Sequence, residues 1–333
     1  MKVLVIGLGS MGQRRIRNLK AIGNVEIAGT DTRVDRRKNA EEKYSIITYT
    51  TVEESMDDFK PDAFIISTSP NHHMDYAFFG FENGIHCFIE ASVTDADKIN
   101  ELSKKLINKK IIMAPSCTMK YFPGPRKVKE LLDSNVIGTV KIVNYRTGQY
   151  LPDWHPWENI EDYYVSKRET GGAREIVPFE LTWLNPLFGN PTPKNCTIKK
   201  LSDFDADIDD YYQFSIEYDT GVIANIQIEV LSRPIATREL RIIGSEGQIV
   251  FSGESTSVRI ANVKKPNWET IPLSTGTVQN GYINPEEPYI AELCDFLSSV
   301  REQNQDLFPN SLSLDFKVLN LLNELEELAN GRR

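Results

Sequence analysis

The first third of the chain alternates short apolar runs with amphipathic segments whose apolar residues lie three or four positions apart. The short runs predict buried strands, and the amphipathic segments predict helices. Predicted strands are residues 3–6, 25–29, 63–67, 86–90 and 110–114, with helices at about 11–22 and 74–82 and shorter ones near 52 and 95. This order predicts a doubly wound parallel α/β sheet of the Rossmann type.

Beyond about residue 120 the apolar pattern changes to a period of two. Apolar side chains alternate from Tyr212 to Tyr218 and again from Val222 to Val230, on either side of Asp219-Thr220-Gly221. Alternation around a short turn predicts a β-hairpin, and residues 240–251 predict a second one. We therefore expect a C-terminal α+β domain with an open antiparallel sheet.

Helical patterns return at the end of the chain, at about residues 286–303 and 311–330. The change of period divides the chain into a Rossmann domain, 1–120, and a substrate and oligomerisation domain, 121–333. The last helices are candidates to pack back on the first domain.

A glycine-rich turn follows the first predicted strand. It has the sequence G-x-G-x-x-G and consists of Gly7, Leu8, Gly9, Ser10, Met11 and Gly12. The first glycine permits the tight turn, the second lets the backbone approach a pyrophosphate, and the third allows close packing of helix and strand. The turn therefore predicts a dinucleotide site. Arg14, Arg15 and Arg17, on the helix that follows, are expected on its solvated face, and contact of one of them with the pyrophosphate is the alternative.

The second predicted strand is followed by Asp31, which bears on the choice of dinucleotide. An acid at this place binds ribose hydroxyls and repels a 2′-phosphate. We predict NAD(H) in preference to NADP(H), with Thr32 and Arg33 beside the ribose. Arg36 and Arg37 lie just beyond and, with Arg33, act against this preference through their charge.

Composition narrows the classes of function. The 333 residues include 38 Lys and Arg against 47 Asp and Glu, a formal net charge of −9, which argues against a nucleic-acid partner. Neither a membrane-spanning run nor room for a signal peptide is present, so no membrane partner is expected. The four cysteines are widely separated, which indicates reduced thiols and a cytoplasmic location.

Metal binding is not expected. His72 and His73 are adjacent, so their side chains diverge, and neither Cys nor acid completes a ligand set. The acidic run 203–210 resembles the start of a calcium loop, but Asp210 stands where that loop needs Gly and Ile216 where it needs Glu.

Further motifs occur in a fixed order along nearly the whole chain. They are the glycine-rich turn, Ser69-Pro70-Asn71 with His73, Glu90, the segments 120–123 and 137–140, Gly171-Gly172, and the segments 243–247 and 292–297. In order and spacing they resemble the Gfo/Idh/MocA oxidoreductases, the group of glucose–fructose oxidoreductase and inositol dehydrogenase.

This resemblance implies hydride transfer between NAD(P) and a sugar, an inositol or a nucleotide sugar. It also implies a homodimer or homotetramer formed through the open face of the second sheet. Residues expected beside the cofactor are Thr68, Ser69, Pro70, Asn71, His73, Glu90 and Ala91.

The chain departs from the family pattern at the positions that carry proton chemistry. Glu90-Ala91-Ser92 replaces the family's Glu-Lys-Pro, so the lysine is absent. After Gly171-Gly172, Ile176 and Glu180 stand where the family has Asp and His. We therefore expect an atypical proton-transfer site.

Three residues are candidates to replace the missing groups. Lys120 can bind an oxygen or act as a desolvated base, although an ordinary surface lysine remains an alternative. Glu180 is a candidate base if burial raises its pKa, or else a carboxylate paired with Arg174 or a lysine. His155 is a candidate acid or base because imidazole titrates near neutral pH.

His155 lies in a segment, 148–158, that is rich in aromatic, acidic and proline residues. Trp154 and Trp157 offer flat faces for stacking on a sugar ring, and Arg174 and Glu175 are further candidates for substrate binding. A packed aromatic anchor or an oligomer contact is the alternative for this segment. Basic residues at 167 and 168 suit a phosphate.

The leading hypothesis is an NAD-dependent oxidoreductase that transfers hydride to or from a secondary alcohol or ketone of a phosphorylated or nucleotide-linked sugar. Two alternatives stay open. A non-catalytic regulator that binds NAD and a sugar is favoured by the missing Lys and His, and opposed by the aromatic segment. The other alternative is an enzyme that reduces and reoxidises bound NAD within one catalytic cycle. Products at the same oxidation state as the substrate would identify it.

Overall fold

The computed structural model describes residues 1–91, 94–154 and 159–331. Over this part of the chain, two compact units are found. Unit 1 comprises Met1–Thr118 and Gly276–Phe316, and unit 2 comprises Met119–Thr275 and Lys317–Arg333.

Unit 1 contains a parallel sheet with helices between its strands. Its strands are β1 (Lys2–Ile6), β2 (Glu26–Thr30), β3 (Ile47–Tyr49), β4 (Ala63–Ile66), β5 (His86–Ile89) and β6 (Met113–Pro115). Its first helices are α1 (Ser10–Ile22), α2 (Val34–Tyr44), α3 (Val52–Asp58), α4 (His73–Glu82) and α5 (Ala96–Lys105). Among the described residues this sheet has six strands in the order β3-β2-β1-β4-β5-β6. The predicted Rossmann topology is confirmed.

The strand order reverses between β1 and β4, and such a reversal opens a crevice at the carboxyl ends of the strands. Both strands are buried on both faces, which explains their continuous apolar sequences. α2 and β3 were not predicted, because α2 is strongly polar and buries little beyond Ala40 and Tyr44.

Unit 2 is built on a larger sheet. Its strands are β7 (Val140–Gly148), β8 (Pro191–Lys199), β9 (Tyr211–Tyr218), β10 (Ile223–Glu229), β11 (Thr237–Gly244), β12 (Gly247–Ser252), β13 (Ser257–Asn262) and β14 (Lys265–Pro272). Its helices are α6 (Pro123–Asp133) and α7 (Gly172–Phe188). In the described part of the chain the order is β14-β13-β12-β11-β7-β10-β9-β8.

Both predicted hairpins are confirmed. β9 and β10 pair antiparallel, with Ile216 opposite Ala224, and β11 and β12 pair with Leu240 opposite Phe251. β7 lies between the two hairpins and runs parallel to β10, so one pair of strands in this sheet is parallel. The sheet is therefore mixed.

Two helices complete the chain, α8 (Glu287–Glu302) and α9 (Leu312–Asn330). α8 belongs to unit 1, where it packs against α1, and the division between the units falls within α9. Of the helices in the described residues, none has both the length and the apolar composition required to cross a bilayer.

Candidate functional site

The glycine-rich turn lies at the carboxyl end of β1. Gly7 has a φ of +90°, and a Cβ built there would lie 2.6 Å from the Ser67 carbonyl oxygen. At Gly12 a Cβ would lie 1.8 Å from the Gly7 carbonyl oxygen. At Gly9, by contrast, the nearest atoms belong to the Arg36 side chain, at 3.5 Å. Positions 7 and 12 thus require glycine, because a side chain there would overlap the backbone. At position 9 the absence of a side chain leaves the surface of the turn open to a ligand.

The N-terminus of α1 faces this surface. Gly9 is its N-cap, and no side chain in the described residues caps the first turn. The first N–H groups of a helix lack intrahelical acceptors, so they are donors for an anion. Ser10 and Met11 lie in this first turn. The arrangement fits a dinucleotide.

Asp31 extends from the end of β2 toward the same turn. Its Oδ2 accepts a hydrogen bond from the backbone N–H of Leu8, and its Oδ1 accepts one from that of Arg33, both at 2.8 Å. Leu8 therefore uses its N–H to hold Asp31. Thr32, beside it, is exposed. The backbone therefore holds the Asp31 carboxylate beside the glycine-rich turn.

The loop after β4 provides a second edge of the site, since Ser67 and Thr68 adjoin Gly7. Ser69 and Pro70 begin a short 3₁₀ turn that also contains Asn71, and α4 follows with His73. The Nε2 of His73 lies 2.9 Å from the Thr68 carbonyl oxygen. Burial lowers the pKa of His73, so its ring is neutral at neutral pH.

Glu90 follows β5, and its carboxylate binds a residue that the sequence did not single out for this role. Arg15 contacts Glu90 through Nε at 2.5 Å and through one terminal nitrogen at 2.9 Å. The same nitrogen lies 3.0 Å from Glu292 on α8. The expected solvated position of Arg15 is wrong, because its side chain is 0% exposed. Ala91, after Glu90, is half-buried.

Glu292 also binds the end of the first part of unit 1, at residues 117 and 118. It accepts hydrogen bonds from the Cys117 backbone N–H at 2.6 Å and from the Thr118 hydroxyl at 2.7 Å. Burial raises the pKa of Glu292. Arg14 is buried as well and pairs with Glu286 at 3.0 Å. Both arginines lie on the side of α1 that also carries its buried apolar residues, and this position in the sequence pattern could have identified them as buried.

In unit 2, Glu180 lies on α7 and is 0% exposed. Its carboxylate binds Arg238 at 2.7 Å and accepts hydrogen bonds from the Tyr145 hydroxyl at 2.6 Å and Trp183 Nε1 at 2.7 Å. The cation beside Glu180 is therefore Arg238, not Arg174. Arg238 was missed, although it occupies an inward position of β11 in alternation with buried Leu240.

Lys120 follows Met119 in a 3₁₀ turn and is half-buried. The Arg238 guanidinium lies 3.6 Å from the sulfur of Met119, the residue before Lys120.

Glu175 lies near the start of α7. It accepts a hydrogen bond from the Tyr164 hydroxyl at 2.9 Å, and burial raises its pKa to about 8. Arg174 is bound to Glu326 of α9 at 2.7 Å and to the Glu169 carbonyl oxygen at 2.9 Å. Trp154 is half-buried. His155 and Trp157 lie outside the described residues, as does Ser92.

The acidic run near residue 205 serves the fold. Asp210 accepts backbone hydrogen bonds from Leu201 and Ser202, and Arg168 pairs with Asp207 at 2.8 Å and with Asp209. Within the described ranges, no group of three or more metal-binding side chains is found.

Comparison with known proteins adds to these observations. Residues 1–114 match a family model described as the oxidoreductase family with an NAD-binding Rossmann fold, and residues 126–250 match the Gfo/Idh/MocA C-terminal domain. The chain belongs to the Gfo/Idh/MocA oxidoreductase family. It is an NAD-binding oxidoreductase, as the sequence predicts. No curated protein matches it in sequence.

Solved structures of similar fold cover the whole chain. An Agrobacterium radiobacter oxidoreductase in complex with NAD⁺, L-tartaric acid and magnesium has 14% identity and a TM-score of 0.87, covering 100% of this chain and 97% of the other. Levoglucosan dehydrogenase with NADH has 16% identity, a TM-score of 0.85 and coverage of 99% and 97%. Myo-inositol 2-dehydrogenase from Lactobacillus plantarum has 18% identity, a TM-score of 0.80 and coverage of 100% and 98%.

The glycine turn makes a contrasting pair of substitutions informative. Gly12→Ala is expected to lower the free energy of unfolding by about 2 kcal/mol, because the new methyl group overlaps the backbone of Gly7. Gly9→Ala is expected to leave stability within about 0.5 kcal/mol and to weaken NADH binding at least tenfold, because the methyl group occupies the approach of the pyrophosphate. Urea denaturation and calorimetry measure the two effects, and unchanged NADH affinity in Gly9→Ala would contradict this assignment of the turn.

Proposed function

We propose that this oxidoreductase transfers a hydride between NAD(H) and a secondary alcohol or ketone of a sugar, with a phosphorylated or nucleotide-linked sugar as substrate. The observation that carries the proposal is the glycine turn with Asp31 held beside it by two backbone N–H groups. The sugar class is supported by two proteins of the same fold, levoglucosan dehydrogenase and myo-inositol 2-dehydrogenase. The anionic group is supported by the basic residue Lys120, which follows Met119, whose sulfur lies 3.6 Å from the Arg238 guanidinium.

Bound NAD⁺ supplies an acceptor for the hydride at its nicotinamide ring. The substrate hydroxyl must also lose a proton, and a protein side chain takes it as the carbonyl forms. We propose Lys120 and His155 for this step. We propose Glu175 for the reverse direction, as the proton donor to the ketone, because burial raises its pKa to about 8. Glu180 is a weaker candidate for direct transfer, since its carboxylate already binds Arg238 and accepts two further hydrogen bonds. Its proposed role is to hold Arg238 and Tyr145 in position.

The test of this function is an incubation of the full chain with NAD⁺ or NADH and a panel of sugars, sugar phosphates and nucleotide sugars. Absorbance of the reduced nicotinamide and the product masses are followed together. A substrate-dependent change in absorbance supports the proposal. A flat absorbance with altered sugar contradicts it in favour of redox-neutral chemistry, and NADH binding without any altered sugar contradicts it in favour of a regulator.

We also propose that the open face of the unit 2 sheet forms a homodimer or homotetramer. This face carries polar side chains, among them Asn144, Arg146, Asn225 and Arg241, around a shallow cavity of about 960 Å³. Polar and arginine-containing surfaces are compatible with a hydrogen-bonded interface.

Light scattering after size exclusion tests the proposed interface. We expect a dimer or tetramer for the wild type and a smaller species for Arg241→Glu, because the substitution removes the guanidinium donors of this face and places a carboxylate there instead. The control is Lys109→Glu, an exposed charge reversal in unit 1. A monomeric wild type, or an equal effect of both variants, would contradict the proposal.

A further inference from the structure

The open face of the unit 2 sheet carries two arginines around one tryptophan. Arg241 on β11 lies opposite Val250 on β12, and Val250 lies opposite Arg259 on β13. The Arg259 guanidinium is 5.3 Å from the centre of the Trp268 ring on β14, and the Arg241 guanidinium is 6.0 Å from it. Because Val250 is short and buried, the cavity of this face continues between the two arginines. Arg241, Arg259 and Trp268 are called the Arg–Trp cluster below.

The positive charge of the Arg–Trp cluster has no ionic partner in the described part of the chain. Arg146, in the next row of the face, is paired with Glu239 at 2.5 Å. Neither Arg241 nor Arg259 forms an ion pair with a described carboxylate, and Arg241 donates to the neutral Gln248 side chain at 2.7 Å. The described residues that line the cavity include three arginines and one acid, although the whole chain has a formal net charge of −9. A local excess of positive charge on an acidic protein favours an anionic ligand.

The other groups that line the cavity indicate which anion fits. Its hydroxyl groups belong to Ser252, Ser255, Thr256, Ser257 and Thr270. A guanidinium can donate two parallel hydrogen bonds to one phosphate, and hydroxyl groups can donate further ones. Trp268 is 42% exposed, so its indole ring is accessible for stacking on a base or a sugar ring. The chemistry therefore suits an organic phosphate that carries a ring.

The Arg–Trp cluster is separate from the candidate catalytic groups on α7. Along β7 the side chain of Tyr145 is buried and binds Glu180, whereas the neighbouring side chains of Asn144 and Arg146 are exposed on the open face. Successive side chains of a strand point to opposite faces of the sheet. Glu180, like the rest of α7, therefore lies on the other side of the sheet from the cluster.

We propose that the Arg–Trp cluster is a second ligand site of this protein, for a ring-bearing organic phosphate such as a nucleotide or a sugar phosphate. The two guanidinium groups bind the phosphate, and the indole ring of Trp268 stacks on the ring of the ligand.

The site has a consequence for assembly, which, unlike the site itself, rests on the proposed interface. A symmetric partner brings the same arginines to that interface, so their charges are desolvated together. A bound phosphate compensates these charges. We therefore expect the ligand to favour the oligomer over the single chain.

Calorimetric titration of the full chain tests the site, with NADH present to occupy the dinucleotide site. The probes are inorganic phosphate, glucose 6-phosphate, UDP and glucose. We expect the wild type to bind glucose 6-phosphate or UDP with a Kd below about 1 mM, and glucose at least about tenfold more weakly. The tighter of the two phosphate-bearing probes distinguishes a sugar phosphate from a nucleotide.

Two substitutions separate the contributions of charge and stacking. Arg259→Gln is expected to weaken every phosphate-bearing probe about tenfold, because a charged hydrogen bond is lost. Trp268→Leu is expected to weaken the ring-bearing phosphates about fivefold and inorganic phosphate less than about twofold, because only the stacking is lost. The matched control is Lys265→Gln, which removes an exposed positive charge from β14 and should change each affinity less than about twofold.

Fluorine NMR provides a local readout at Trp268. The chain has four tryptophans, and after labelling with 5-fluorotryptophan the Trp268 resonance is the one that Trp268→Leu lacks. It should shift when UDP is added to the wild type. The same concentration should shift it less in Arg259→Gln, because that variant binds UDP more weakly.

The inference is overturned if the wild type binds none of the phosphate-bearing probes, or if Arg259→Gln binds them as tightly as the wild type does. An equal loss in Lys265→Gln would also overturn it. Light scattering with and without UDP separates the site from the proposed interface. A single chain that binds UDP through Arg259 contradicts the interface and supports the site, whereas an oligomer that binds none of the probes overturns the site alone.

Discussion

Replacement of Arg15 by Met is expected to lower the free energy of unfolding by about 3–5 kcal/mol at pH 7. The Arg15 side chain is fully buried and contacts two buried carboxylates, Glu90 at 2.5 Å and Glu292 at 3.0 Å. Methionine fills a similar space but leaves both acids without their cation. Breaking a buried pair by removing one partner is costly because the remaining charge is desolvated and uncompensated.

Urea denaturation of the full chain measures this effect, and the exposed Arg33–Asp35 pair supplies the control. Its side chains are 54% and 65% exposed. Arg33→Met should therefore change stability by less than about 1 kcal/mol. A loss below about 1 kcal/mol in Arg15→Met would show that the buried cluster contributes little. The same loss in both variants would show that burial does not determine the cost.

The second large effect concerns Glu175, whose pKa burial raises from 4.5 to about 8. A carboxyl with a raised folded pKa contributes stability that is fully present below its unfolded pKa and lost as pH rises through the folded value. We expect the free energy of unfolding to fall by roughly 5 kcal/mol between about pH 4.5 and pH 8 because of this group. In Glu175→Gln this component disappears.

The control for this stability profile is Glu217→Gln, an exposed carboxylate paired with Lys194. It should keep the wild-type slope of unfolding free energy against pH. A Glu175→Gln variant with that same slope would contradict the raised pKa.

Activity gives an independent view of Glu175. Because this carboxyl is protonated at neutral pH, it is suited to donate a proton while the substrate ketone accepts a hydride. We expect Glu175→Gln to lower kcat for ketone reduction by a factor of roughly 10²–10⁴, and the wild-type rate to fall above about pH 8. An unchanged kcat would remove Glu175 from the proton step.

Tyr164 sharpens the test, because its hydroxyl donates a hydrogen bond to Glu175 and thereby lowers the pKa of that carboxyl. Tyr164→Phe should therefore move the alkaline limb of the rate profile to higher pH. A purely structural role for this pair would change the rate without moving the limb.

Much of unit 1 could be predicted because its strands and its glycine-rich turn depend on patterns within short segments of the sequence. A buried parallel strand requires a continuous apolar run, and a helix that receives an anion requires glycines next to it. Those requirements appear directly in β1 and in residues 7–12. α2 and β3 could not be predicted, because a polar surface helix and a three-residue edge strand show almost no periodic pattern of apolar residues.

The buried charges escaped prediction for another reason. Arg15, Glu90 and Glu292 lie far apart in the sequence, and Arg and Glu are residue types usually found at the protein surface. Glu90 reaches the Arg15 guanidinium from the end of β5, and the packing of α8 on α1 brings Glu292 to the same group. Glu180 is similar, because its partner Arg238 comes from a strand more than fifty positions away.

The sequence by itself determined the family, the Rossmann topology of unit 1, the two hairpins of unit 2 and the preference for NAD(H), because local patterns of apolar residues, glycines and one acid carry each of them. Only the tertiary structure decided the parallel pairing of β7 with β10, the partners of Glu90 and Glu180, and the position of Arg36 over Gly9. Those features depend on which distant groups share a buried or crowded space, and that is a property of the packed chain rather than of any segment.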